Sequence, residues 1–125
     1  MVPMADRTVF VVEDDPSLCD VLREELEAAG WLVLSFTSPL SALAELQARS
    51  PDVLLVDYTL PHLTAEEFIR VARRHAHAIP VVVMSGDTRA LRHFDVSVRI
   101  ALLQKPFPIE RALSVLERAV AQAQG

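Results

Sequence analysis

Four hydrophobic runs in this chain each end at a polar or charged residue of a type that phosphoryl chemistry uses. The residues that follow or end these runs are Glu13, Asp14 and Asp15 after 9–12, Asp57 after 53–56, Ser85 after 81–84, and Lys105 after 100–104. If the runs are parallel strands of one sheet, these residues gather at its carboxyl edge, where open α/β sheets place their binding sites. Clustered carboxylates with a hydroxyl and an ammonium group would then form a pocket for a cation and a phosphate.

The composition restricts the class of protein. A length of 125 residues predicts one domain, residues 1–125, with a full hydrophobic core. The net charge of -5 argues against a general nucleic-acid surface, and the single cysteine, Cys19, excludes an intrachain disulfide framework. No apolar stretch approaches the roughly 18 residues of a membrane span, and the leader lacks the apolar middle of a signal peptide. We therefore expect a cytoplasmic protein with no membrane partner and no direct nucleic-acid partner.

Helical periodicity lies between the apolar runs and predicts an alternating fold. Helices are expected after Asp15, Ser38 and Thr64 and from Pro108, with a short one within 87–94 and an additional strand over 31–36. The inward faces of the first two helices are predicted to include Val21 and Leu40. Continuously apolar strands indicate a parallel sheet buried on both faces, and right-handed crossovers place helices on both sides. The predicted fold class is a doubly wound α/β sheet of five βα units.

The chemistry of the candidate site follows from its side chains. Carboxylates at Glu13, Asp14 and Asp57 repel one another when enclosed, and Mg²⁺ is a cation that suits such oxygens. The alternative is that the acids at 13–15 only cap a helix, which we prefer for Asp15 because Pro16 follows it. Lys105 can hold a phosphate oxygen as a point charge, and the Ser85 hydroxyl can donate to another.

These motifs resemble the receiver domain of bacterial two-component response regulators, a CheY-like family, from about residue 7 to residue 121. The resemblance depends on four segments in order, Val11-Val12-Glu13-Asp14-Asp15-Pro16, Val56-Asp57-Tyr58-Thr59-Leu60-Pro61, Val83-Met84-Ser85-Gly86 and Lys105-Pro106-Phe107. It implies a flavodoxin-like sheet of strand order 2-1-3-4-5 and a cis peptide bond between Lys105 and Pro106.

The resemblance also implies a role for each site residue. Asp57 would accept a phosphoryl group from a histidine kinase or a histidine phosphotransfer protein, after which binding to an output partner, unknown from the sequence, would change. Mg²⁺ or Mn²⁺ would be ligated by Asp14, Asp57 and the backbone carbonyl of Thr59, with Glu13 acting through water. Lys105 would pair with Asp57 and then with the phosphoryl group, while Ser85 would move to bind that group. Backbone contacts to the phosphoryl group would come from Gly86, Tyr58 and Thr59.

One departure from the family pattern concerns signalling. Three residues before Lys105 the family usually has an aromatic side chain that moves inward on activation, and here that residue is Leu102. Since a leucine has no polar end to leave in water, we expect it to be buried in both states.

Three other functions remain open. A Mg²⁺-dependent aspartyl-phosphate phosphatase or phosphotransferase needs a second acid two residues after its nucleophile, and that residue here is Thr59. A flavin- or nucleotide-binding module needs a glycine-rich loop, whereas the whole chain has 3 glycines. A degenerate receiver used only for docking is disfavoured by the intact Asp57 and Lys105. We therefore expect no enzyme activity beyond Mg²⁺-dependent self-phosphorylation and autodephosphorylation.

Overall fold

The computed structural model describes residues 7–87, 89, 92 and 99–124. These residues form the strands and helices β1 (Thr8–Val12), α1 (Pro16–Ala28), β2 (Leu32–Phe36), α2 (Pro39–Leu46), β3 (Val53–Asp57), α3 (Ala65–His75), β4 (Val81–Ser85), β5 (Ile100–Gln104) and α4 (Ile109–Gln124). The predicted alternation is confirmed over this part of the chain, and the short helix predicted within 87–94 falls mostly outside it. Of the helices described, none has the length and apolar character needed to cross a bilayer.

The five strands form one parallel sheet in the order β2-β1-β3-β4-β5, which confirms the order implied by the resemblance. The register pairs Val12 with Val56, Asp57 with Met84, and Ser85 with Gln104. The carboxyl ends of β1, β3, β4 and β5 therefore lie at nearly the same level, and the residues that follow them meet at one edge.

The sheet separates two hydrophobic clusters, because successive side chains of a strand point to opposite faces. One face packs against α1 and α4, with Val9, Val11, Leu55 and Met84 in the sheet and Leu26 and Leu116 on the helices. The opposite face packs against α2 and α3, through Phe10, Val12, Leu54, Val83, Leu46 and Phe68. Strands β1, β3 and β4 are almost wholly buried, as their unbroken apolar sequence predicts.

Two of the predicted helix starts are confirmed in atomic detail. The Asp15 side chain caps α1 by accepting from the N–H groups of Ser17 and Leu18, with Pro16 in the first turn. At α3, the Thr64 hydroxyl accepts from the Glu67 N–H and the Glu67 carboxylate accepts from the Thr64 N–H, both at 3.0 Å. This reciprocal pair satisfies two N–H groups that the first turn of a helix leaves without partners.

Several predictions about side-chain burial were wrong. Val21 and Leu40 were expected to face inward, but they are 53% and 55% exposed. The buried residues of α1 are Cys19, Leu22 and Leu26. Val21 precedes Leu22 and therefore points about 100° away from it around the helix axis. Leu102, expected to be buried in both states, is only partly buried in this one, because β5 is an edge strand of the sheet.

Removing the α3 cap should lower stability without affecting the site. We expect Thr64→Ala to reduce the free energy of unfolding by about 1 kcal/mol, since it removes the hydroxyl that accepts from the Glu67 N–H, although the Thr64 backbone N–H can still donate to the Glu67 carboxylate. Urea unfolding followed by circular dichroism measures the loss. Ser41→Ala, at an exposed position inside α2, is the control and should not destabilise. Equal stability of Thr64→Ala and the wild type would contradict the assigned role of the cap.

Candidate functional site

The predicted site residues converge at the carboxyl edge of the sheet, where hydrogen bonds hold the backbone just past the strands. The N–H of Glu13 donates to the Phe36 carbonyl (3.0 Å), and the N–H of Lys105 donates to the Ser85 carbonyl (2.8 Å). Each bond continues a strand ladder by one step. The residues after β1 and β5 are therefore positioned by the sheet itself rather than by a flexible loop. The peptide bond between Lys105 and Pro106 is cis, as implied by the resemblance.

Three carboxylates form an acidic cluster at this edge. One oxygen each from Glu13, Asp14 and Asp57 lie within 4.8 Å of one another. Glu13 and Asp57 are buried, whereas Asp14 is exposed. A hydrogen bond with Glu13, then partial desolvation and the Glu13 charge, raises the pKa of Asp14 above its ordinary value. The cluster thus favours uptake of positive charge, as a proton or a cation.

Lys105 supplies positive charge to this cluster. Its Nζ lies 2.7 Å from Glu13 Oε1 and 3.4 Å from Asp57 Oδ1. Burial by itself lowers the pKa of Lys105, but the hydrogen bond to Glu13 and the charges of Asp57 and Glu13 outweigh burial and raise it. The side chain is therefore a permanent cation at neutral pH, shared between two carboxylates.

Ser85 lies close by but its hydroxyl is occupied. Its Oγ accepts from the Asp87 N–H at 3.0 Å and donates to the Asp87 carbonyl at 3.2 Å, and the residue is buried. The side chain would have to leave these contacts to bind a phosphoryl group on Asp57. Gly86 is exposed, and a Cβ added to it would meet no described residue within 4 Å. Packing inside the protein does not require glycine there.

The remaining predicted contacts lie in the loop after β3. Thr59 is exposed two residues beyond the strand. The N–H of Tyr58 donates to the Met84 carbonyl at 2.7 Å, which extends the β3–β4 ladder. In this conformation, that N–H is engaged in the sheet and is not directed to a phosphoryl group.

The cysteine and the described histidines, which are common metal ligands in other proteins, take no part in this site. Cys19 is buried and its Sγ donates to the Glu13 carbonyl at 3.1 Å; burial raises the pKa of its thiol, as is typical of a packed side chain rather than a reactive thiol. His62, His75 and His77 are exposed. The metal-type cluster found among the described residues contains no histidine.

A groove next to the acidic cluster was not predicted from the sequence. It encloses about 700 Å³ between α1 and the segment after β5, and Lys105 is among its lining residues. Its apolar wall includes Leu18, Val21, Phe107 and Ile109. The sequence indicates one side of the groove, because Phe107 is an apolar residue directly after Lys105-Pro106. The other side was missed because Val21 was predicted to lie in the core.

The crowding of carboxylates predicts that the site lowers stability. In metal-free buffer with a chelator, we expect Asp57→Asn to raise the free energy of unfolding by roughly 1 kcal/mol, because it removes a buried charge that two other carboxylates repel. Urea unfolding measures the gain. Glu117→Gln, an equal charge change at an exposed position on α4, should change stability little. A destabilised Asp57→Asn protein would contradict this account of the site.

Comparison with known proteins gives one consistent result. Residues 9–117 match the family described as the response regulator receiver domain. The DNA-binding transcriptional regulator NtrC of Salmonella typhimurium is 30% identical over 93% of this chain, and the chain spans about a quarter (25%) of the length of that relative. The transcriptional regulatory protein FixJ of Bradyrhizobium diazoefficiens is 26% identical over 93% of the chain and 58% of its own length. Among solved structures, the chemotaxis response regulator CheY4 of Vibrio cholerae is 26% identical, with a TM-score of 0.79 over 90% of this chain and 98% of that one. With a family match over most of its length and a fold shared with solved receivers, this chain belongs to the response regulator receiver domain family.

Proposed function

We propose that this domain accepts a phosphoryl group on Asp57 from a phosphohistidine donor, a histidine kinase or a histidine phosphotransfer protein. The observation that carries the proposal is the position of Asp57, a carboxylate that ends a buried strand within 3.4 Å of Lys105 Nζ and beside two further acids. No helix begins directly after Asp57, so a capping role does not account for it.

In the proposed reaction, an Asp57 carboxylate oxygen attacks the phosphorus of the donor. The new O–P bond forms as the P–N bond to the donor imidazole breaks, and the imidazole nitrogen keeps the electron pair. Lys105 is placed to stabilise negative charge on the transferred group, since its ammonium already lies between Glu13 and Asp57. Catalysis of this kind depends on positioning and electrostatics rather than on covalent chemistry by other groups.

The donor set of the acidic cluster suits Mg²⁺, or Mn²⁺. Its three carboxylates are hard oxygen ligands of the type that Mg²⁺ binds, often together with phosphate oxygens. We propose that Asp14, Asp57 and the Thr59 carbonyl hold the ion, with Glu13 acting through water. When bound, the ion would neutralise charge that develops on the phosphoryl group.

The Ser85 hydroxyl is the proposed reporter of phosphorylation. It would exchange its contacts with Asp87 for a bond to the phosphoryl group, and so couple the site to the segment after β4. Backbone contacts from Gly86 and Thr59 are part of the same proposal, whereas Tyr58 would contribute only if its N–H left the Met84 carbonyl.

We further propose that the domain is a phosphoacceptor and not an enzyme with a separate substrate. A phosphatase that uses an aspartyl nucleophile needs an acid two residues later to protonate the leaving group, and Thr59 cannot serve as one.

A cytoplasmic location and the absence of direct nucleic-acid binding by this chain remain predictions. The relatives named as transcriptional regulators are longer than this chain.

Labelling by a small phosphodonor tests the assignment. Acetyl phosphate should label the wild type with an acid-stable, base-labile phosphoryl group only when Mg²⁺ is present, and Asp57→Asn should abolish labelling because the nucleophile is lost. Phosphate-affinity electrophoresis with and without a chelator measures both. Asp52→Asn, an exposed acid at the opposite edge of the sheet, is the control and should be labelled normally. Undiminished labelling of Asp57→Asn would refute the assignment, and an unlabelled wild type would favour a docking-only receiver.

The groove beside Lys105 is the proposed docking surface for the phosphodonor. A donor histidine must reach Asp57, so the donor must cover the surface next to it, and the apolar wall formed by Leu18, Val21 and Phe107 offers area to bury. We propose that the donor presents an apolar helix face to this wall.

Exchanging an apolar residue of the wall for a charge should therefore separate docking from chemistry. We expect Val21→Glu to slow phosphotransfer from a donor protein at least about tenfold, because a buried charge at the contact costs more than about 1.4 kcal/mol. Labelling by acetyl phosphate should not change. Leu40→Glu is a matched control, since Leu40 is exposed to the same degree (55% against 53%) but lies on α2, outside the groove. Equal slowing in both variants would refute docking at the groove.

A further inference from the structure

The Glu13 carboxylate is already engaged within the protein on both of its oxygens. Oε1 accepts from Lys105 Nζ at 2.7 Å, and Oε2 accepts from the N–H of Asp15 at 3.2 Å. The residue is only 1% exposed. A water molecule that links Glu13 to a metal ion would have to share these oxygens with contacts that are in place beforehand.

The contact between Glu13 and Lys105 is closer than the contact between Asp57 and Lys105. The first, at 2.7 Å, has the length of a charge-assisted hydrogen bond, whereas the second, at 3.4 Å, is longer than a good hydrogen bond. Lys105 is therefore anchored on Glu13 and inclined toward Asp57. The two partners are 92 positions apart in the chain and are joined only by the fold.

We propose that Glu13 is a positioning residue that holds the Lys105 ammonium beside Asp57 and prevents it from pairing fully with the nucleophile. If the Glu13 charge were absent, Asp57 would be the buried carboxylate nearest to the ammonium, and a close pair would occupy the oxygen that must attack phosphorus. With Glu13 present, the ammonium remains within reach of the phosphoryl group while Asp57 remains reactive. The inference rests on the proposed function of Asp57 and adds a role for Glu13 that does not depend on metal ligation.

Lys105 is the only lysine in the 125 residues, which makes its side chain directly observable. In protein labelled with ¹³C,¹⁵N-lysine, the side-chain spectrum contains one lysine, and an NOE between its Hε protons and the Glu13 Hγ protons is expected in the wild type. Glu13→Gln should shift the ¹³Cε and ¹⁵Nζ resonances at constant pH. Glu24→Gln, an exposed position on α1, should leave them unchanged. Absence of the NOE, or equal shifts in the two variants, would overturn the proposal without requiring any variant to be active.

A double-mutant cycle tests whether Glu13 acts through Lys105. Labelling rates with acetyl phosphate are measured at saturating Mg²⁺ for the wild type, Glu13→Gln, Lys105→Met and the double variant, with circular dichroism to verify folding. We expect Glu13→Gln to slow labelling at least about fivefold when Lys105 is present, and to change it less than about twofold when Lys105 is replaced. Methionine keeps the unbranched stem of lysine but has no charge to position.

Two outcomes of the cycle would overturn the proposal. Equal slowing by Glu13→Gln in both backgrounds would mean that Glu13 acts independently of Lys105. A wild-type rate for Glu13→Gln at saturating Mg²⁺ would mean that Glu13 contributes only to metal affinity. Both differ from failure of the proposed function itself, in which the wild type is not labelled or Asp57→Asn is.

Discussion

Three carboxylates and the ammonium of Lys105 share one corner of the sheet, and their electrostatic imbalance is the constraint on which the rest of the site depends. Two of the acids, Glu13 and Asp57, are buried, so water cannot screen their repulsion well. Among the described residues, no buried polar side-chain atom lacks a hydrogen-bond partner. The polar atoms of this corner therefore have hydrogen-bond partners, but three carboxylates face a single ammonium. A bound cation would neutralise part of the excess negative charge.

The parallel sheet holds the carboxylates together despite their repulsion. Adjacent strands end in register, and the ladder continues for one further bond at Glu13, Tyr58 and Lys105. The backbone that carries the charged groups is therefore anchored in the most buried part of the molecule. Hydrophobic burial of the central strands on both faces offsets the cost of holding like charges together.

Three features surround the acidic cluster: an apolar groove, the Ser85 hydroxyl and Leu102. The groove formed by α1 and the segment after β5 approaches the cluster from one side and has an apolar wall, which suits a protein partner. The Ser85 hydroxyl is engaged with Asp87, two residues beyond it in the chain. Leu102 is only partly buried at the sheet edge and packs on the periphery of a core cluster. In this arrangement, Ser85 joins the sheet edge that carries Asp57 to Asp87, and position 102 has no aromatic side chain.

The amino-acid sequence by itself determined the elements and which residues end the strands at the candidate site. Apolar runs of strand length, the caps at Asp15 and Thr64, and the polar residue at each strand end depend on local chemistry, which can be read one segment at a time. The tertiary structure decided what depends on distance and direction between segments. It placed Lys105 closer to Glu13 than to Asp57, turned the Ser85 hydroxyl toward Asp87, and left Val21 in a groove rather than in the core. Helical periodicity locates an apolar stripe only to within about one residue, or 100°, and ion pairs between residues 92 positions apart leave no local pattern. For that reason, the partners of each charge became known only when the strands were packed side by side.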